Sequence, residues 1–307
     1  MKRLFALFLI IALLSGCGRL SMPEGETLTF TDGTGAEVVC PLHPARVAVL
    51  FSSFAEIWTL AGGEVAVTVG ETVERGFAAE DAVLVDDGAG HSTIDTERLI
   101  AARPDFVIGT ADYPVQTEAV ELCREAGIPG ALFTEETAED YLAILRVCCD
   151  LTENEEAYEK YGTDVLRETE KLVQEAENGT KNRVLLLRAG SSARSVKAKA
   201  SDDLTAGIML RMLGQENIAD SAPVLLDGLS TETILTEDPD WILVVPMGEE
   251  KASEEYVSAM LREPGWSSLT CVREGRVSFL PKEYFHFKPN QRWAEGLSWL
   301  WELLSTE

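Results

Sequence analysis

Apolar positions along the chain follow two periods. Short unbroken runs of β-branched and aliphatic residues, as in "RVAVLF" (46–51), "VAVTVG" (65–70), "AVLVD" (82–86), "IPGALFT" (128–134), "RVLLLRA" (183–189) and "RVSFL" (276–280), predict strands buried on both faces. Between them, "SFAEIWTLAGG" (53–63), "YPVQTEAVELCREAG" (113–127), "DLTAGIMLRMLG" (203–214), "SEEYVSAMLREPG" (253–265) and "NQRWAEGLSWLWELL" (290–304) carry apolar residues at helical spacing. The first of these helices is closed by Gly62-Gly63. An alternating stretch on both sides of a Gly-rich turn, "LTFTDGTGAEVVCP" (28–41), predicts a β-hairpin. Strands alternating with helices mean parallel sheets covered on both faces.

The alternation stops once. From Ala138 to Glu177 there is no proline, only Gly162 as glycine, and no strand signal. Thr152 and Glu155 have capping-box spacing, so a fresh helix is expected there, with Tyr158, Tyr161, Val165, Leu172, Val173 and Ala176 on one face. About 25 helical residues would span roughly 37 Å. Strand-helix alternation then resumes, and the helices "FAEIWTLAGGEVAV" and "TAGIMLRMLGQENIA" loosely match. The expected fold class is therefore α/β: two Rossmann-like lobes with mainly parallel sheets bridged by a single long α-helix. The boundaries are 28–137 for the N-terminal lobe, 138–178 for the bridging helical segment and 179–307 for the C-terminal lobe.

The start of the chain stands apart. Lys2 and Arg3 precede an apolar run from Leu4 to Leu14, too short for a spanning helix, which needs about 20 residues. A basic start, short apolar core and small residues read as a secretory signal over 1–16. "LSGC", ending at Cys17, resembles the lipobox of bacterial lipoproteins, which implies acylation of Cys17 and a tether over 17–27; the alternative is an ordinary signal cut near Gly16. The formal net charge of −26 argues against nucleic acid, whose phosphates demand a basic surface. Cys40, Cys123, Cys148, Cys149 and Cys271 contain no C-x-x-C pair and read as buried hydrophobes, with one disulfide left open.

One local pattern occurs twice. "IDTERLIAARPDFVIGT" (94–110) and "LSTETILTEDPDWILVV" (229–245) align at a constant offset of 135, pairing Thr96 with Thr231, Glu97 with Glu232, Pro104 with Pro239 and Asp105 with Asp240. Asp95 and Ser230 are N-cap residues, which puts each glutamate at the second helical position. A carboxylate there is favoured by the helix dipole whether or not it has a further use. Proline then ends the helix and turns the chain into its strand. Twin corners establish twin lobes.

The succession of "LSGC", a hairpin, "HPARVAVLFSSFAEIWTLAGG", a glutamate-bearing helix before "RPDFVIG", one long helix, a second such lobe and "GRVSFLPKEYFHFKPNQRW" resembles the substrate-binding lipoproteins of ABC importers for iron complexes and cobalamin. The resemblance covers essentially the whole chain after the signal. It implies an extracytoplasmic, lipid-anchored monomer that is not an enzyme. It also implies partnership with an ABC permease dimer and its ATPase, with Glu97 and Glu232 docking into arginine pockets on the two permease subunits. The ligand is expected to be an iron complex, a ferric siderophore or haem; cobalamin is the alternative within the family.

Open α/β sheets hold ligands beyond the carboxyl ends of their strands. On that rule the cleft residues are Ser52, Ser53 and Tyr113 from the first lobe and Arg188, Ser191, Met247 and Tyr284 from the second; His91, just ahead of the first repeated corner, and Lys199, from the basic run described next, are added to them. Lys181, Arg183, Arg188, Arg194, Lys197 and Lys199 form a run free of acidic residues. This is either a solvated basic face or a local field for an anionic ligand. Three histidines, His43, His91 and His286, are too few for a bare zinc or manganese site drawn from both lobes, so no metal site or cofactor is assigned. "GAGHST" lacks the third glycine of a dinucleotide fingerprint, "AGSSAR" lacks the hydrolase elbow, and no Walker motif is present. One stiff helix between lobes implies little opening and closing.

Overall fold

The computed structural model describes residues 25–87, 93–190, 192 and 195–305. Cys17, His91 and Ser191, and Arg194 of the basic run, lie outside the described residues. Two parallel sheets dominate. In the first, β3 (Val47–Val49), β4 (Val65–Thr68), β5 (Val83–Leu84), β6 (Phe106–Thr110) and β7 (Gly130–Phe133) take the order β5-β4-β3-β6-β7. In the second, β8 (Arg183–Ala189), β10 (Glu216–Asn217), β11 (Trp241–Pro246) and β12 (Val277–Phe279) take the order β10-β8-β11-β12, and β9 (Lys197–Ala198) runs antiparallel on β8. The order β4-β3-β6-β7 is thus repeated as β10-β8-β11-β12. Two lobes of one design follow.

The strands are short continuous apolar runs because both faces are covered. Every residue of β3, β6, β7 and β11 is buried. Ahead of them, β1 (Thr27–Thr31) and β2 (Glu37–Pro41) form the expected antiparallel hairpin. Asp32 holds its turn: Oδ1 accepts the Thr34 and Ala36 amides at 2.9 and 3.0 Å, while Oδ2 takes the Leu132 amide at 3.1 Å and the Arg124 guanidinium at 2.6 Å. One buried carboxylate shapes the turn and ties the hairpin to β7.

The segment 138–178 contains two helices, the second starting at Glu155, where a fresh helix was expected. Helix Ala138–Thr152 packs Tyr141, Ile144, Leu145 and Cys148 into the first core and ends where Glu153 turns left-handed at φ 50. A second run then extends unbroken from Glu155 through a π-helical turn, Glu159–Thr163, to Ala176. Its N-terminal residues Tyr158 and Tyr161 pack on the first core, while Val165, Leu172, Val173 and Ala176 pack on the second. At 1.5 Å per residue it spans roughly 33 Å, enough to bridge two lobes. Its cap differs from expectation. Asn154, not Thr152, accepts the Ala157 amide at 3.1 Å, and the Thr152 hydroxyl instead bonds the Ala61 carbonyl at 2.8 Å. Among the described residues all five cysteines are buried and unpaired. No helix of the described residues is long and apolar enough to cross a membrane.

Candidate functional site

In parallel α/β sheets the strand carboxyl ends and the N-termini of the following helices share one edge. Here those edges of the two sheets border a common cavity of about 600 Å³. From the first sheet, β3 delivers Phe51, Ser52 and Ser53, β4 leads to Glu71, β6 leads to Tyr113 and β7 leads to Glu136 and Thr137. From the second, β8 contributes Arg188, β9 leads to Asp202–Thr205, β11 to Met247 and β12 to the segment 285–289. Gln116 stitches one wall together, donating to the Leu50 carbonyl at 2.8 Å and accepting the Thr110 amide at 3.0 Å.

The chemistry of the cavity is set by which charges are already paired. Arg211 pairs with Asp202, and Lys288 with Asp112 at 3.2 Å. Arg188 is exposed on a strand whose other residues are buried or half-buried, and its side chain makes no hydrogen bond or ion pair among the described residues. Among the described residues that line the cavity, its guanidinium has no ion-pair partner, and the carboxylates of Glu71 and Glu136 on the other wall have none either. Phe51, Tyr113, Phe285 and Phe287 supply aromatic surface, with the Phe51 and Tyr113 rings 6.0 Å apart. His286 packs edge-on to Phe287 at 5.0 Å, and its Nδ1 is buried without a hydrogen-bond partner. Burial, with the Lys282 and Arg188 charges, holds this imidazole below its ordinary pKa, so it is neutral at neutral pH.

Behind Ser52 and Ser53 lies a buried ion pair. Arg75 donates to Glu56 Oε2 at 2.7 Å and to the Ser52 and Ser53 hydroxyls at 3.0 and 3.5 Å. Its guanidinium lies over Phe287 at 4.0 Å and Phe77 at 4.8 Å, and Gln291 donates to Glu56 Oε1 at 3.0 Å. Residues that follow the last strand therefore reach across and grip the first lobe.

Of the residues expected in the cleft, Ser52, Ser53, Tyr113, Arg188 and Met247 line the cavity. Tyr284 and Lys199 do not. Tyr284 lines a separate groove between helices Asp164–Ala176 and Trp293–Leu304, with the Arg292 guanidinium 4.3 Å over its ring. Its neighbours Phe285 and His286 line the cavity instead, because successive residues of the helical turn Lys282–Phe285 point in different directions. Lys199 turns to Asp203, with Nζ 3.5 Å from its carboxylate. The basic run also disperses. Lys181 caps the carbonyls of Ala176 and Leu213, Arg183 pairs with Glu237, and of the described residues in the run only Arg188 lines the cavity. His43 lies on the surface against Glu153 at 2.6 Å. Among the described residues no group of three or more metal-ligating side chains could hold an ion. The sequence reading missed Glu71, Phe287 and Lys288; the strand-end rule, applied after β12 to "FHFKP", points to the last two.

The twin corners agree closely in detail. Asp95 accepts the Arg98 amide at 2.9 Å and Ser230 the Thr233 amide at 3.3 Å, so Glu97 and Glu232 are each the second residue of their helices, Thr96–Ala101 and Thr231–Glu237. Both glutamates are exposed. The residues before the prolines, Arg103 and Asp238, are both left-handed, at φ 51 and 37. Asp105 accepts the Ala45 and Arg46 amides at 2.8 and 2.9 Å, and Asp240 accepts the Arg183 amide at 2.8 Å. Arg46 and Arg183 reach back to the carbonyls of Ala102 and Glu237, which the same offset of 135 relates.

A family model described as a periplasmic binding protein matches residues 47–284. No curated protein matches the chain in sequence. Among solved structures, a periplasmic solute-binding protein from Veillonella parvula is similar with a TM-score of 0.66 and 20% identity, covering 91% of this chain and 86% of that one. Staphylococcus aureus SirA, solved with staphyloferrin B, is similar with a TM-score of 0.65 and 15% identity over 92% and 99% of the two chains. The haem-binding protein RhuT from Roseiflexus follows at 0.65 and 18%, over 85% and 97%. At these identities the likeness establishes the fold.

Proposed function

The chain belongs to the periplasmic binding protein family, and from that premise we propose that it is the solute-capturing subunit of an ABC importer for an iron complex, a ferric siderophore or haem. The observation that carries this reading is the cavity bordered by the strand ends of both sheets, with the Arg188 guanidinium unpaired among the described residues. About 600 Å³ lies within the roughly 300–1,000 Å³ of small-molecule sites and far above the volume of a single ion. Aromatic walls suit a flat or chelated ligand, and a free guanidinium suits its carboxylates or propionates. SirA with staphyloferrin B and the haem protein RhuT, both similar in fold, give the same ligand class.

In this reading Ser52, Ser53, Tyr113, Arg188 and Met247 contact the ligand, together with His91 and Ser191. Glu97 and Glu232 dock on the two permease subunits, one carboxylate per lobe for a two-fold partner. The lobes are 28–137 and 179–307, and a lipid on Cys17 holds the monomer at the outer face of the membrane.

Native mass spectrometry of the chain from Ser21 onward tests the proposal. It would be mixed with ferric siderophores of several classes, haem, cobalamin and divalent metal salts. One iron complex retained at one-to-one stoichiometry and released unchanged is the expected result, with Arg188→Ala weakening it about tenfold or more. Retention of cobalamin or of a bare metal alone, or conversion of the ligand, would overturn it.

A further inference from the structure

Large apolar side chains left in solvent are scarce on this surface. Among the described residues they are Leu122 (39% exposed), Leu166 (41%), Val224 (53%), Leu226 (38%) and Leu235 (41%). Three of the five fall between Val224 and Leu235, the stretch that contains Glu232. Two short helices carry them, Val224–Asp227 and Thr231–Glu237. Leu225 and Ile234 are fully buried in one core with Leu185 and Ile242, which fixes both helices to the same sheet. Helices anchored in this way would ordinarily turn polar residues outward. These turn out Val224, Leu226 and Leu235.

The charge on the same two helices narrows the partner. Asp227 and Glu232 are exposed there too, and the whole chain carries a net charge of −26. An anionic lipid surface would be repelled. A protein surface with an apolar centre and a basic rim would fit, and an arginine that receives Glu232 belongs to such a rim.

The other corner lacks the feature in sequence. The offset of 135 sets Ala89, Gly90 and His91 against Val224, Leu225 and Leu226, and Ile100 against Leu235. Ile100 is partly buried against the core on the other face of the first sheet, with Leu50, Val107 and Leu132. The glutamates are equivalent in position, but the sequence around them is not.

We propose that Val224, Leu226 and Leu235 form an apolar contact surface for the permease subunit that receives Glu232, so that the C-terminal lobe docks over a wider area than the N-terminal lobe. This rests on the docking reading of Glu97 and Glu232. It adds an orientation: a molecule with two nearly equal carboxylates seats in one of two related ways on its partner.

Photo-crosslinking of the full-length protein in its own cells tests it. Benzoylphenylalanine replaces Val224, Leu226 or Leu235 one at a time, Arg98 and Thr236 serve as reporters beside the two glutamates, and Leu122 is the control. Adducts to an ABC permease subunit, identified by mass spectrometry, are expected from the three patch positions and not from Leu122. Permease adducts at Arg98 and Thr236 but none at the patch would overturn this proposal and leave the docking reading standing. No permease adduct from any position would overturn both. Adducts to lipid, or to a second copy of the chain, would overturn the patch as a permease surface. A Leu226→Asp/Leu235→Asp variant with unchanged melting temperature should lose at least tenfold of the permease adduct at Thr236; an undiminished yield would overturn the proposal.

Discussion

Glu135 is fully buried, neither of its carboxylate oxygens has a hydrogen-bond partner, and the nearest cation, Lys288, is already held by Asp112. Burial therefore raises its pKa well above 4.5, with the Glu56, Asp140 and Asp112 charges adding to the shift and Lys288 opposing it. The folded chain keeps a proton that the unfolded chain gives up above that value. Stability from this group is complete below pH 4.5 and falls as pH rises toward the raised folded pKa. Glu135→Gln keeps the shape without the proton linkage. Its unfolding free energy should gain on that of the parent protein as the pH rises above 4.5, by up to about 1.4 kcal/mol per pH unit until the raised folded pKa is passed. Parallel pH profiles would show that Glu135 does not titrate there. Asp32 has the opposite sign: burial raises its pKa, but hydrogen bonds from Thr34, Leu132 and Arg124 outweigh it and the net shift is down. Its contribution is present above the usual carboxylate range and lost as pH falls through the lowered value. Asp32→Asn should cost about 1–3 kcal/mol at pH 7, since the charged acceptor of Arg124 and of the turn amides is lost while Glu121 keeps Arg124 paired, and less as the pH falls through that range. Equal destabilisation of both variants across pH would refute the assignment. Such residues were not legible beforehand. The sequence marks strand ends well enough to place Ser52, Arg188 and Met247 at the cavity, but not which way one side chain of a helical turn points, as for Tyr284, nor which carboxylate a long side chain finds, as Lys199 finds Asp203.

At the level of elements, the repeated corner is a clamp as well as a turn. An aspartate after the proline takes the amide at the start of the neighbouring strand, and the arginine there reaches back to the end of the glutamate's helix. The helices are short, and this closes each of them onto its sheet at the end away from the glutamate. Asp105→Ala and Asp240→Ala should each destabilise the protein by about 1–3 kcal/mol, as loss of a charged acceptor leaves backbone amides without partners. Because the clamps sit in different lobes, the double variant should approach the sum. Urea unfolding of the four proteins reads this directly, and a double variant no worse than either single one would mean that the corners do not act independently. Strand and helix periods were legible for nearly every principal element, because buried parallel strands are continuous apolar runs and the helices between them are amphipathic. What escaped were two-residue strands such as β9 and β10 and single-turn helices, too short to show a period. The Arg46 and Arg183 repeat escaped because it sits outside the matched words and closes only in three dimensions.

For the whole molecule, the question is how freely the two sheets move against each other. The helix run Glu155–Ala176 packs on both cores, so rotation of one lobe must bend it or strip its apolar face. On the cavity side, residues after β12 cross to the first lobe through three contacts: Lys288 with Asp112, Gln291 with Glu56, and Arg75 against Phe287. A helix on one side and a strap on the other leave little hinge. The cavity is then largely preformed, and ligand binding should change the radius of gyration by less than about 1 Å in small-angle scattering, against roughly 20 Å for a chain of this size. Arg75 is the member to remove. It is mostly buried, it pairs with Glu56, and the Phe287 ring rests on its guanidinium. Arg75→Ala leaves Glu56 as an uncompensated buried charge and releases the strap from its main aromatic contact. The variant should lose about 3–5 kcal/mol of stability. Hydrogen exchange should quicken at residues 285–291 and leave β6 and β11 protected. If exchange rose evenly across both sheets, the loss would be global and the strap would have no separate role. If nothing changed at 285–291, the helix alone would hold the lobes, and the contacts across the cavity would be incidental to its shape.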